Sequence, residues 1–397
     1  MIKSKIIVDI SHIIGWQGNL TGIERVEYHL IEHYFHNTEA EFIYWDRQSS
    51  VFVAADREQV KTLVIDRTSE TELQNQQVST KALNRFHKHV KKLVGKSVNA
   101  ANIDQATVII LAGLWDVDNY IEGLKQLAQN NSLVHVVYDM IPLVTPGYVV
   151  DFLPSIFEKY FYSVLPVCKA VLAISKSSAE DTRQVLLDKG LKVPAIDSFQ
   201  LGSDITRAQG SQAPKGVQKA FILSVGTLEA RKNHTLLYYA YKELLSQGKK
   251  LPQLVIAGRS GWLTENLQYL LAHDPDVKDY ILVTGSVTDA ELTWLYEHCR
   301  FTVFPSFYEG WGLPVVESLA HGKVTLSANT SSLPEAGGNY ADYFSPLSTD
   351  ELTKLIVAYL DDAKLAKREA QIKGHDQTIT WRTASKTFAD KVTKLTV

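Results

Sequence analysis

Short apolar runs and amphipathic stretches alternate along almost the whole chain, and the alternation is broken once. Apolar runs at Lys5–Ile10, Glu41–Trp45, Thr107–Leu111, Leu133–Val137 and Ala170–Ile174 predict strands. Between and after them, Ile23–Phe35, Val117–Ala128, Val150–Leu165 and Lys176–Leu187 carry apolar residues at helical spacing. The polar stretch Ser203–Lys219, with Gly210, Pro214 and Gly216, interrupts the rhythm. Strands are then expected at Ala220–Val225, Gln253–Ala257, Tyr280–Val283, Phe301–Phe304 and Val324–Ser327. Helices are expected at Lys232–Ser246, Leu263–Ala272, Asp289–His298, Leu313–His321 and Asp350–Asp361. Repeated β-α alternation predicts parallel sheets covered on both faces. The expectation is an α/β chain of two Rossmann-like domains, 1–203 and 220–379, joined by a linker at 204–219 and facing each other across a cleft. An amphipathic helix, 380–397, follows and could pack back on the first domain.

Composition removes several function classes. With Lys+Arg at 41 and Asp+Glu at 44, the chain lacks the basic footprint of a nucleic-acid binder. No apolar run approaches the roughly 18–20 residues that span a bilayer. The N-terminus has too short an apolar stretch for a signal peptide. Cys168 and Cys299 have neither metal-ligand nor disulfide-framework spacing, which points to a reducing cytoplasm.

The strongest local signal runs from Phe304 to Gly322. An apolar strand enters a loop, Pro305-Ser306-Phe307-Tyr308-Glu309-Gly310-Trp311-Gly312, and Leu313-Pro314 opens a helix. Glycines there let a ligand approach the backbone, and a helix N-terminus offers free N–H groups to an anion. Glu309 and Glu317 flank seven residues. Alone, Glu317 would read as a first-turn acid favoured by the helix dipole. A second signal is Gly226-Thr227-Leu228-Glu229-Ala230-Arg231-Lys232 after a strand. Two cations at a helix start oppose the dipole, a placement that costs stability and that charge stabilisation of a ligand would explain.

These segments resemble the signatures of retaining family-four glycosyltransferases (glycosyltransferase group 1), which have the GT-B fold. Glu309-x7-Glu317 resembles their paired-glutamate motif, and Leu223–Asn233 their diphosphate-binding turn. Ser331-Ser332-Leu333-Pro334-Glu335 and Tyr343-Phe344-Ser345-Pro346 resemble later signatures. The resemblance covers about Ala220–Pro346 and is much weaker over Met1–Ser203. It implies that Arg231 and Lys232 stabilise the departing diphosphate and that Glu309 positions donor-sugar hydroxyls. It further implies that Glu317 accepts hydrogen bonds from ribose, with Gly226, Thr227, Gly310, Trp311, Gly312 and Leu313 lining the donor site.

The first half adds weaker candidates. Gly15–Gly22 joins the first strand to a helix, where a parallel sheet binds ligand, and Gly18 is the expected close approach. Arg25 reads equally as a phosphate contact and as an exposed helical arginine. Tyr138-Asp139-Met140-Ile141-Pro142-Leu143 resembles a segment of mannosyl- and rhamnosyltransferases, with Tyr138 where those enzymes have histidine. It implies that Asp139 orients a hydroxyl, while a turn before Pro142 would also use an aspartate. Ser175 is expected to cap a helix. Asp116-Val117-Asp118 resembles the metal-binding Asp-x-Asp of the unrelated GT-A enzymes but is expected to cap a helix, and no catalytic metal or cofactor is expected. Lys81–Lys96 carries Leu83, Phe86, Val90, Leu93 and Val94 on one face and basic residues on the other, the pattern of a surface helix or of one lying on an anionic membrane.

The expectation is a hexosyltransferase that moves a mannose-like hexose or deoxyhexose from a GDP-, UDP- or dTDP-sugar. The acceptor is a glycan or lipid-linked saccharide of bacterial surface polysaccharide, and the chain is cytoplasmic or peripheral on the inner membrane face. A non-catalytic nucleotide-sugar-binding subunit, a sugar-phosphate synthase and an epimerase remain open as alternatives.

Overall fold

A computed structural model describes residues 5–16, 20, 22–66, 103–204, 212–374 and 379–396. Gly18, the segment 81–96 and part of the 204–219 linker lie outside the described residues.

The first sheet has seven strands: β1 (Lys5–Asp9), β2 (Glu41–Asp46), β3 (Val51–Ala55), β4 (Ala106–Ile110), β5 (Ser132–Val137), β6 (Ala170–Ala173) and β7 (Ala195–Ser198). Their order is β3-β2-β1-β4-β5-β6-β7, parallel except for the antiparallel β2–β3 pair. The second sheet has six: β8 (Phe221–Val225), β9 (Gln253–Ala257), β10 (Ile281–Gly285), β11 (Thr302–Phe304), β12 (Thr325–Ala328) and β13 (Asp342–Phe344). Their order is β10-β9-β8-β11-β12-β13, parallel throughout. β4 and β9 are buried along their whole length, which is why they read as unbroken apolar runs and not as alternation. The strand order reverses between β1 and β4 and between β8 and β11. The loops leaving the carboxyl ends of these strands therefore diverge and open a crevice there.

Helices α1 (Ile23–Asn37), α2 (Asp118–Leu127), α3 (Leu153–Val164) and α4 (Lys176–Asp188) flank the first sheet. Around the second lie α5 (His234–Ser246), α6 (Glu265–His273), α7 (Asp289–His298), α8 (Leu313–Ala320), α9 (Leu333–Gly337), α10 (Thr349–Tyr359) and α11 (Asp362–Lys373). Local chemistry fixes several ends. The Ser175 hydroxyl accepts from the Ser178 N–H at α4, and Thr288 with Glu291 forms a capping box at α7. The expected cap at α2 is absent. Neither Asp116 nor Asp118 caps it; Asp118 sits in the first turn and pairs with Lys159.

The last helix, α12 (Trp381–Thr396), lies on the first sheet's side of the molecule. Its Trp381 stacks on His29 of α1 at 4.4 Å, Ser385 donates to the His29 carbonyl, and Phe388 enters the first core. Gly202 is required where the two segments meet, because a Cβ there would lie 2.6 Å from the Trp381 backbone.

Candidate functional site

β8 and β11 are neighbours, so the turns that leave them are neighbours too. After β8 the chain turns at Gly226, whose φ of 149° is unfavourable for side-chain-bearing residues, and reaches a short 3-10 turn, Ala230–Lys232. Asn233, left-handed at φ 55°, redirects it into α5. Arg231 and Lys232 thus precede the helix. The expected helix start at Lys232 is displaced to His234, which takes both cations out of the unfavourable first turn.

Both cations are sequestered. Lys232 Nζ lies 2.6 Å from Glu309 Oε1, and Arg231 Nη1 lies 2.7 Å from Glu309 Oε2. Arg231 also pairs with Glu229 at 2.5 Å and donates to the Tyr308 carbonyl. The Arg231 and Lys232 side chains are only 14% and 16% exposed. Burial alone would push the Glu309 carboxyl up, but the two cations outweigh it and hold its pKa at about 2.

The Glu309 loop is fastened on both sides. Ser331 accepts from the Glu309 N–H, and Ser332 donates to the carbonyls of Glu309 and Trp311. Across the interface, Ser178 of α4 donates to the carbonyls of both Tyr138 and Gly310. A Cβ on Gly310 would meet the Tyr138 carbonyl at 2.5 Å and the Asp139 Cβ at 3.1 Å, so this glycine admits the other unit's backbone. Gly312, at φ 118°, opens α8. The Trp311 side chain leaves its own unit and joins the first sheet's core cluster, with Leu313 packed against it.

Asp139 follows β5 and its carboxylate accepts from the Ile141 N–H. Burial raises its pKa, opposed by the charge of nearby Arg231. The structure therefore brings Asp139 together with Arg231, Lys232, Glu309 and Gly310, while Thr227 continues the Gly226 turn.

Glu317 lies on the buried side of α8, 4% exposed. Arg25, the third residue of α1, donates to its Oε1 at 2.8 Å, and Tyr296 donates to Oε2 at 3.0 Å. Arg25 is thus not an exposed helical arginine; its side chain is 19% exposed and held by Glu317. Further contacts close the two units on each other. Tyr308 donates to Asp181, the Lys176 N–H donates to Glu335, the Trp262 indole donates to the Tyr148 carbonyl, and Tyr148 stacks on Phe307 at 4.7 Å.

Sequence reasoning missed Glu229, Asp181 and Tyr308. The only available signal was an acid two positions before Arg231. It also missed a pair in the first unit, His12 Nδ1 and Glu27 Oε2, 2.6 Å apart beyond the carboxyl end of β1. Among the described residues no group of three or more His, Cys, Asp or Glu could hold a metal ion, and no helix is long and apolar enough to cross a membrane.

Comparison with known proteins agrees with this architecture. Residues 207–374 match the family of glycosyl transferases group 1. The serotype-specific mannosyltransferase WbdA of Escherichia coli is 26% identical over 263 residues, 62% of this chain and 31% of that protein. The O-antigen chain mannosyltransferase B of Escherichia coli is 33% identical over 211 residues, 52% of this chain and 55% of that protein. The chain thus spans from under a third to little more than half of these relatives. Among solved structures, Anabaena HepE in complex with UDP and glucose superposes with a TM-score of 0.65 at 16% identity, covering 98% of this chain and all of that one. Sucrose-phosphate synthase from Thermosynechococcus elongatus superposes at 0.62 with 13% identity, covering 99% of each chain.

Proposed function

With residues 207–374 belonging to the glycosyl transferases group 1 family and the whole chain built on the GT-B fold, we propose that the protein is a retaining, metal-independent hexosyltransferase of surface-polysaccharide synthesis. The observation that carries this reading is the placement of Arg231 and Lys232 beside Glu309 at the carboxyl ends of β8 and β11. A nucleoside diphosphate bound there meets two preorganised cations, which stabilise the charge that develops as the sugar–phosphate bond breaks. Glu309 fixes both cations and, with the backbone of Gly310 and Gly312, holds donor-sugar hydroxyls. Glu317 takes the ribose, and Gly226, Thr227, Gly310, Trp311, Gly312 and Leu313 line the donor site.

The acceptor enters from the first unit, past Asp139 and the loop containing Gly18. Its hydroxyl attacks on the face from which the diphosphate leaves, and a phosphate oxygen takes its proton, so no protein nucleophile is required. Closure of the units excludes water that would hydrolyse the donor. The mannosyltransferase names of the relatives favour a mannose-like sugar, with GDP-mannose the first donor to try. The acceptor is a glycan or lipid-linked saccharide, and the enzyme works in the cytoplasm or at the inner membrane face. The test is transfer from GDP-mannose, UDP-glucose and dTDP-rhamnose, with the anomeric configuration of the product read by NMR. Turnover of none of them, or an inverted product, overturns this reading.

A further inference from the structure

The Arg25–Glu317 pair joins residues 292 positions apart and from opposite units, and Glu317 is almost fully buried. Its two carboxylate oxygens are taken by Arg25 and Tyr296. On the functional reading above, Glu317 must present its carboxylate to ribose hydroxyls; each oxygen retains a lone pair, but in a side chain only 6% exposed the guanidinium competes with ribose for the approach to Oε1. Arg25 itself uses one N–H, and its other donors have no partner among the described residues. It stands in the first turn of α1, where the helix dipole disfavours a cation, so the position calls for an anion. Arg231 is differently placed: its guanidinium already meets Glu309, Glu229 and the Tyr308 carbonyl.

We propose that Arg25 exchanges partners: it neutralises Glu317 in the ligand-free chain and moves to the donor's diphosphate when ribose takes Glu317. Charge is conserved in the exchange, since the carboxylate is satisfied by two hydroxyl donors while the released guanidinium meets the phosphates. The distance is short. Glu317 lies four residues, about 6 Å, along α8 from its first residue. A ribose on Glu317 with its diphosphate toward the N-terminus of α8 therefore brings phosphate within the sweep of an arginine side chain. Arg25 would then be a donor-binding residue contributed by the acceptor-side unit, and its contact between the units would pass through the donor instead of through Glu317.

The test is calorimetric titration of GDP, UDP, dTDP and inorganic pyrophosphate into wild type, Arg25→Ala and Glu317→Gln. Arg25→Ala should weaken both nucleotide and pyrophosphate about tenfold, the loss of one charge-assisted contact. Glu317→Gln should split the ligands: it weakens the nucleotide by removing the ribose acceptor, and it tightens pyrophosphate about threefold or more because Arg25 is released. Pyrophosphate binding that is unchanged or weaker in Glu317→Gln overturns the exchange, as does unchanged binding in Arg25→Ala. Thermal unfolding of each variant separates loss of fold from loss of contact. If wild type binds none of the three nucleotides, the donor reading itself fails, while the pyrophosphate arm still decides where Arg25 goes.

Discussion

Glu27 and Glu309 are both buried glutamates beside the carboxyl end of a parallel sheet, one in each unit; burial pushes both carboxyls up, yet their pKa values end on opposite sides of the ordinary one. Glu27, fully buried on α1, has its pKa raised from 4.5 to about 7, because desolvation outweighs one hydrogen bond to His12. Its Oε1 has no hydrogen-bond partner among the described residues. Glu309 is lowered to about 2, because Arg231 and Lys232 outweigh the same desolvation. The number of cations in contact, not depth, decides whether a buried carboxylate is held ionised. The Glu309 cluster is therefore a fixed electrostatic unit, and the His12–Glu27 pair is a poised one.

The sharpest way to break this contrast is to remove the shared guanidinium. Arg231→Ala leaves Glu309 with Lys232 alone and takes from Glu229 its ion-pair partner. Breaking a buried pair in this way should cost on the order of 3–5 kcal/mol of stability, read from the shift of a denaturant midpoint. Lys232→Ala should spare more of the fold, since Arg231 still holds Glu309. It should lower turnover by a factor of about 10²–10³, the effect of losing one preorganised charge stabiliser. Steady-state kinetics within tenfold of wild type would remove Lys232 from the donor site.

A smaller effect tests the other side of the contrast. Between its ordinary and its raised pKa, Glu27 binds more protons folded than unfolded, so stability falls as pH rises through that window, about 4.5 to 7. His12 is also raised. Its contribution is full below its ordinary 6.5 and is lost as pH rises through its folded pKa, so it has the same sign. Glu309 has the opposite sign: its stabilisation is present above 4.5 and is lost as pH falls toward 2. Glu27→Gln should remove a pH-dependent destabilisation on the order of 2–3 kcal/mol between pH 5 and 8. Denaturant midpoints measured across that range should run flatter in the variant than in wild type, and parallel curves would show that Glu27 does not titrate there.

What the sequence could show follows the range of the interactions. Gln253–Ala257 and Asp289–His298 coincide with β9 and α7 to the residue, because strand and helix periodicity are local. The Gly226 turn, Arg231 and Glu309 could be singled out because each sits in a short stretch just beyond a strand. β3 was overlooked: Val51–Ala55 is a short edge strand paired antiparallel, outside the β-α rhythm. The pairing of Arg25 with Glu317 was out of reach, since nothing near either residue encodes a contact 292 positions away. Trp311 stands in the ligand loop, and nothing local to it signals that its side chain fills the core of the opposite unit.

The smallest expected effect comes from the third kind of carboxylate in the molecule, the exposed one. Asp118 pairs with Lys159, with side chains 68% and 56% exposed, and water screens both. Such a pair is worth little, so Asp118→Asn should move the thermal midpoint by no more than about 2 °C. Asp116 lies two residues away, and neither aspartate shares a hydrogen bond or ion pair with Arg231, Lys232 or Glu309. Turnover of Asp118→Asn and of Asp116→Asn should accordingly match wild type, and transfer by the wild type should persist in EDTA. Were chelation to abolish transfer, Mn²⁺ to restore it, and Asp116→Asn to lose that response, charge stabilisation would have to come from a metal at these aspartates. The contrast between Glu27 and Glu309 would then describe the fold without describing the chemistry.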